Sequence, residues 1–178
     1  IVCGGTFLWV KALVRGLAEG APANPELREQ HRLLAEREGR AALHEQLRLA
    51  RRRRIARALD AERKAGRLRG PLHGIPILIK DNIDTSDLPT SGGTRALLGS
   101  RPRRNATVVE QLLQSGGLIA GKPNLHELAL GGTNHNAVTG ACRNPWNPLR
   151  IPGGSSGGSA VAVARGWVAF SLGFDFSN

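Results

Sequence analysis

The chain has 178 residues, of which 40% are hydrophobic and 4% aromatic, with no Met and no Tyr, enough to bury the core of one domain or of a piece of one. Its formal net charge of +11 invites a nucleic-acid reading. However, residues 51–70 alone hold nine basic and two acidic residues, a net +7, with no aromatic side chain to stack on bases and no zinc-finger or helix-turn-helix spacing. A solvated helix face explains that run more simply, so no nucleic-acid partner is expected, and two cysteines far apart (Cys3 and Cys142) exclude a disulfide scaffold and make the cytoplasm the default compartment.

Residues 1–14 are fairly apolar, but Lys11 interrupts them. The run is too short for a membrane span and lacks the marks of a secretory signal, so no membrane association is expected. The start, Ile1-Val2-Cys3 with no Met, reads as the middle of something, and residues 1–20 are the least assignable part. Residues 24–66 are predicted helical. Asn24 can cap, Pro25 suits the first helical position, and Leu27, Leu33, Leu34, Leu43, Leu47 and Leu49 recur at helical spacing. Gly39 is a candidate break, Ile55, Ala58 and Leu59 extend an apolar stripe between arginines, and Gly66–Pro71 ends the helix.

The texture then changes. Ile75-Pro76-Ile77-Leu78-Ile79 predicts a buried strand, with Pro76 near its start where a missing N–H is tolerated, and the strand ends on Lys80. Residues 107–115 predict a helix with Val108, Val109, Leu112 and Leu113 as its apolar face, stopped by Gly116-Gly117. Leu118–Gly121 predicts a second buried strand, ending on Lys122. Strand, helix and strand in this order argue for an α/β layer architecture. Asn124–Leu130 suits a helical turn. Residues 131–158 read as one long loop, functional or disordered, with a tightly packed helix over Ala160–Ala164 behind it.

The strongest chemical feature is Gly153-Gly154-Ser155-Ser156-Gly157-Gly158-Ser159. Four glycines and three serines in seven residues let backbone N–H groups and hydroxyls converge on one point. A phosphate cradle would want Lys-Ser or Lys-Thr before the helix, and none is present. A flexible linker and a serine-hydrolase loop remain. The hydrolase reading needs a base, and no Gly-x-Ser-x-Gly elbow or defensible His–Asp pair is visible. Lys80 is a candidate: a strand-end lysine can be desolvated, which favours a neutral amine able to take a proton from a serine. On spacing alone a surface lysine at a strand end is the stronger reading. His126 and Glu127 are adjacent, which is not metal-ligand spacing, and no metal or cofactor is expected. His73 suits a structural hydrogen bond, and Thr133–Val138, with His135, is a candidate acyl-pocket segment.

Several blocks together resemble the amidase signature family. They are Gly70-Pro71-Leu72-His73-Gly74-Ile75-Pro76 with Lys80-Asp81-Asn82, then Gly121-Lys122-Pro123-Asn124-Leu125-His126-Glu127-Leu128, then Asn144-Pro145-Trp146, and finally Pro152–Ala160. Their order and spacing agree over about residues 55–165. The resemblance implies an α/β fold, the amidase signature fold, with a mixed central sheet covered by helices and incomplete in this chain. It divides the chain into a helical segment, 1–54, and an amidase portion, 55–178. It implies hydrolysis of a small-molecule carboxamide by a Ser–cis-Ser–Lys triad without a cofactor. Lys80 is then the base, Ser155 the bridging serine after a cis Gly154–Ser155 bond, and Ser156 a supporting hydroxyl. The first-choice substrate is a small or aryl-acetamide-like amide; the alternatives are the glutaminase subunit of a tRNA-dependent amidotransferase and a non-catalytic remnant or basic binding module. Self-association is left open.

The resemblance also implies a nucleophilic serine in an Asp-x-Gly-Gly-Ser segment about two dozen residues after Ser155, just past Asn178. Here Asp175 holds the motif's Asp position, but Ser177 and Asn178 stand where its glycines should be, and the serine is absent. Residues 1–178 are therefore expected to be an inactive fragment.

Overall fold

The computed structural model describes the backbone of residues 40–174 and the side chains of 49–174. The expected helix over 24–39 and the tail Asp175–Asn178 lie outside the described residues. Helix α1 runs Arg40–Lys64, and strand β1 covers Pro76–Ile79. Helix α2 covers Thr107–Gln114, and strand β2 covers Leu118–Gly121. A two-stranded antiparallel ladder, β3 (His135–Asn136) with β4 (Gly140–Ala141), precedes helix α3 (Gly157–Ala164) and strand β5 (Phe170–Leu172).

The main sheet has the order β2-β1-β5, and both pairings are parallel. β1 is its middle strand, covered on both faces, which is why its sequence reads as an unbroken apolar run rather than an alternating one. The two faces still differ. Ile77 and Ile79 pack with Ile119, Val109, Ile83 and Leu88 on one side, where Leu112 of α2 also sits. Leu78 points the other way, onto Ala120, Ala162 of α3 and Val168. This is the period-2 alternation of a strand, with an apolar layer on each face. Pro76 opens the central strand, so its missing N–H costs no internal ladder bond.

α2 ends as its glycines predict. Gly116 has φ 87° and donates to Leu113 O at 3.0 Å, while Gly117 donates to Leu112 O at 2.9 Å, the paired bonds of a Schellman stop. The expected face of α2 needs correction. Val109 is fully buried, but Val108 and Leu113 are each 37% exposed, because an eight-residue helix on a sheet buries a narrower stripe than four apolar positions span.

Three further readings change. The 131–158 stretch is not one loop: it holds the β3–β4 ladder, and α3 begins at Gly157, three residues before the expected Ala160. The helix starts early because Gly157 and Gly158 let its first turn press against Asn134 and Asn124. The basic run on α1 is not wholly solvated either. Arg52 is 4% exposed; its Nε donates to Ile119 O at 2.9 Å, and Nη2 pairs with Asp87 at 3.2 Å. Strand β5 carried no sequence expectation at all.

Near the end of α1, Arg69 forms a two-pronged pair with Glu62, at 2.7 and 2.6 Å. This bond holds the Glu62 carboxyl below its ordinary value. His73 takes the expected structural role. Its Nδ1 accepts from Arg69 N–H at 3.0 Å, so Nε2 carries the proton donated to Leu59 O at 2.8 Å.

Candidate active site

Parallel strands β1 and β5 deliver their C-terminal ends to the same place. Lys80 follows β1 directly, and its backbone N–H donates to Leu172 O of β5 at 2.8 Å. Its side chain is fully buried. Nζ is hydrogen-bonded to Ser155 Oγ and donates to Phe174 O at 2.5 Å. Asn82 Nδ2 also reaches Phe174 O, at 3.3 Å. Lys80 is thus no surface lysine: the structure brings it to Ser155 across 75 positions of sequence.

Ser155 is 3% exposed and follows a cis peptide bond from Gly154. Gly154 is pressed against residues 131–132: an added Cβ would lie 2.9 Å from Gly131 O and 3.0 Å from Gly132 O. Ser156 occupies the N-cap position of α3, though its hydroxyl makes no cap bond. The space beside that hydroxyl is taken by Gly173, where a Cβ would lie 2.8 Å from Ser156 Oγ. Behind the turn, Asn134 Oδ1 accepts the Gly157 N–H at 2.9 Å, and Gly158 N–H donates to Asn124 O at 3.1 Å. Ser159 and Ser171 hydroxyls lie 2.9 Å apart and tie α3 to β5.

The 124–139 segment wraps the turn from outside. His126 N–H donates to Ser155 O at 3.0 Å. Leu128 and Ala129 have φ of 52° and 62°, a left-handed backbone unusual for non-glycine residues. Leu128 N–H donates to Gly92 O at 2.7 Å, which anchors that bend. Of the candidate acyl-pocket stretch, His135 is exposed and Asn136 is turned inward, where its side chain binds Asn124 Oδ1 and Leu125 O.

A second polar group lies one residue from Lys80, and residue spacing gave no sign of it. Lys122 Nζ pairs with Asp81 Oδ1 at 3.2 Å and donates to Ile83 O at 2.8 Å and Thr90 Oγ1 at 2.6 Å. Burial lowers the Lys122 pKa, and the Asp81 carboxylate opposes that shift. Asp81 accepts in turn from Ser91 N–H, at 3.3 Å to each oxygen, and from the Ser91 hydroxyl. The sequence signals were that Lys122, like Lys80, ends a buried strand, and that Lys122 and Asp81 each stand in a block of the family resemblance. Among the described residues no group of three or more His, Cys, Asp or Glu side chains is placed to hold a metal ion.

Comparison with protein families finds that the Amidase model matches residues 39–177. The chain belongs to the amidase family. A second model, IPP transferase, matches residues 1–68 and overlaps the first between 39 and 68. Among curated proteins, the A subunit of the glutamyl-tRNA(Gln) amidotransferase from Chloroflexus aurantiacus (strain ATCC 29366 / DSM 635 / J-10-fl) is 52% identical over 120 residues, covering 67% of this chain and 25% of that protein. Among solved structures, a crystal structure described as an amidase shares 47% identity at a TM-score of 0.65, covering 70% of this chain and 28% of the other. The peptide amidase PAM, bound to the competitive inhibitor chymostatin, shares 44% identity at a TM-score of 0.64, covering 68% and 26%. The fold is thus the amidase signature fold, and the chain spans about a quarter of the length of the relatives it matches. Among the described residues no helix is long and apolar enough to cross a membrane.

Proposed function

We propose that this chain carries the base and bridging serine of an enzyme that hydrolyses a carbon–nitrogen amide bond by acyl-enzyme chemistry. The observation that carries the reading is the buried contact between Lys80 Nζ and Ser155 Oγ at a cis Gly154–Ser155 bond. In the reaction, neutral Lys80 accepts the Ser155 hydroxyl proton while Ser155 accepts one from a nucleophilic serine. That serine's oxygen attacks the amide carbon, the amine leaves with the relayed proton, and water cleaves the resulting ester. Lys80 suits the role because its side chain is fully buried, which disfavours an ammonium, and because its amine is held between Ser155 Oγ and the Phe174 carbonyl. Ser156 and Gly154 support this geometry without sharing in the proton transfer.

The nucleophile's Asp-x-Gly-Gly-Ser segment does not occur in residues 1–178. Purified residues 1–178 are therefore expected to release no ammonia from simple amides. Ammonia release that Lys80→Ala abolishes would overturn the assignment of the nucleophile to that segment.

The sequence favoured a small or aryl-acetamide-like amide as substrate. The name of the Chloroflexus relative favours the second reading, a glutaminase component of a tRNA-dependent amidotransferase. Glutamine hydrolysis together with co-purification of a partner protein supports the latter; hydrolysis of simple amides without a partner supports the former. We place the boundary of the amidase portion at residues 54/55 and the protein in the cytoplasm. The Amidase match begins earlier, at residue 39, and α1 runs unbroken from Arg40 to Lys64 across that boundary. If the boundary holds, the chain should still fold after residues 1–54 are removed; a chain that folds without 1–38 but not without 1–54 would move the boundary to the start of the match.

A further inference from the structure

A closed circuit of backbone hydrogen bonds joins Lys80 to Ser155. Asp81, next to Lys80, offers its carbonyl to Gly92 N–H at 2.9 Å, and Gly92 O accepts Leu128 N–H at 2.7 Å. Two residues earlier in that segment, His126 N–H donates to Ser155 O at 3.0 Å, and the Lys80–Ser155 contact closes the ring. The geometry of the base and the bridging serine thus depends on where residues 81–92 are held against residues 124–129. Asp81, Ser91, Thr90 and Lys122 tie residues 81–91 to the end of β2, two residues before Asn124. Lys122 Nζ draws Asp81 Oδ1, Ile83 O and Thr90 Oγ1 to one point at 2.6–3.2 Å, and its side chain is 7% exposed. Asp81 grips Ser91 through backbone and hydroxyl, and the Ser91 hydroxyl also receives Gly93 N–H at 3.1 Å. Neither Asp81 nor Lys122 contacts the Lys80 amine or the Ser155 hydroxyl in this network.

We infer that Lys122 and Asp81 are positioning residues: the pair fixes the circuit and thereby aims the Lys80 amine at Ser155. A buried ion pair with four further acceptors and donors is rigid only while every member is present; removing one partner leaves a buried charge and several freed hydrogen-bonding groups. The inference rests on the reading of Lys80 and Ser155 as base and bridge.

The chain has four lysines, Lys11, Lys64, Lys80 and Lys122, so carbon-13 labelling at lysine Cε gives a spectrum simple enough to assign by substitution. Ser155→Ala calibrates the displacement of the Lys80 signal when its contact is lost. Lys122→Met and Asp81→Asn are expected to displace that signal by a comparable amount in the folded protein, below each variant's melting temperature. The double variant should move it no further. Should Lys122→Met not fold, Ser91→Ala and Thr90→Val, which each remove one hydroxyl of the network, are read against the same calibration. A folded variant with a lowered melting temperature but an unmoved Lys80 signal overturns the inference, because the pair would then be structural only. If Ser155→Ala itself leaves the Lys80 signal in place, the base–bridge reading fails and this inference falls with it.

Discussion

Gly158→Ala sets two effects of opposite sign against each other. Gly158 lies in the first turn of α3, and alanine in a helix is favoured over glycine by about 1 kcal/mol. Packing opposes this. An added Cβ would stand 2.6 Å from Asn124 N and 2.9 Å from Asn124 C, and closest of all to Asn124 O, the acceptor of the Gly158 N–H. These are backbone atoms, so no side chain can rotate away. Asn124 cannot retreat freely, because its Oδ1 accepts from Leu125 N–H and Thr139 Oγ1, each at 2.8 Å, and from Asn136 Nδ2. Overpacking of this kind costs about 1–3 kcal/mol, and losing the Gly158–Asn124 bond adds about 1 kcal/mol. Net of the propensity gain, the fold should lose about 2 kcal/mol, a fall in melting temperature of roughly 4–8 °C for a chain of this size. Gly132→Ala is the matched control, since no atom lies within 4 Å of its Cβ and its φ is not left-handed; it should be neutral or stabilising by up to about 1 kcal/mol. Urea unfolding of both variants is the assay. A Gly158→Ala chain as stable as Gly132→Ala would refute the claim that the serine turn is seated on Asn124.

Two predictions concern pH. Burial holds the Lys122 pKa below its ordinary 10.5, so between the folded value and 10.5 the unfolded chain binds more protons and stability should rise with pH. The unfolding free energy of the wild type relative to Lys122→Met should therefore grow as pH climbs toward 10.5; a difference that shrinks would mean the Asp81 attraction outweighs burial. The Glu62 carboxyl is held below its ordinary 4.5 by Arg69, so the pair's contribution should be complete above pH 4.5 and fade as pH falls through the folded value. Comparing thermal melts of the wild type and Arg69→Met across that range, and again in 1 M salt where an exposed pair is screened, checks this; a difference unchanged by acid and salt would contradict it.

The parts of the fold legible in the sequence were those with a single local cause. Ile77–Ile79 and Leu118–Ala120 are apolar runs because both faces of their strands are covered, and Gly116 stops α2 because it takes a left-handed backbone. The Lys80–Ser155 pairing needed the resemblance: a strand-end lysine and a glycine–serine turn carry no mutual signal across 75 positions. What stayed hidden depends on tertiary partners. Phe170-Ser171-Leu172 is too short to announce a strand and becomes one by lying beside β1. Arg52 looks like its arginine neighbours until the Ile119 carbonyl of β2 and Asp87 receive it. Lys122 and Asp81 stood inside recognisable blocks, but their pairing exists only once β1 and β2 lie side by side.

The central claim is that Lys80 and Ser155 form a working base and bridge. Residues 55–174 can be exchanged for their counterparts in the Chloroflexus aurantiacus relative, to which this chain is 52% identical over 120 residues, so that the relative supplies the remaining segments. Ammonia release from amides, glutamine included, is then measured. The account predicts that the exchanged enzyme hydrolyses amides and that Lys80→Met and Ser155→Ala each remove nearly all of the rate while leaving the melting temperature close to that of the parent. A folded Lys80→Met variant that keeps a near-normal rate would contradict it.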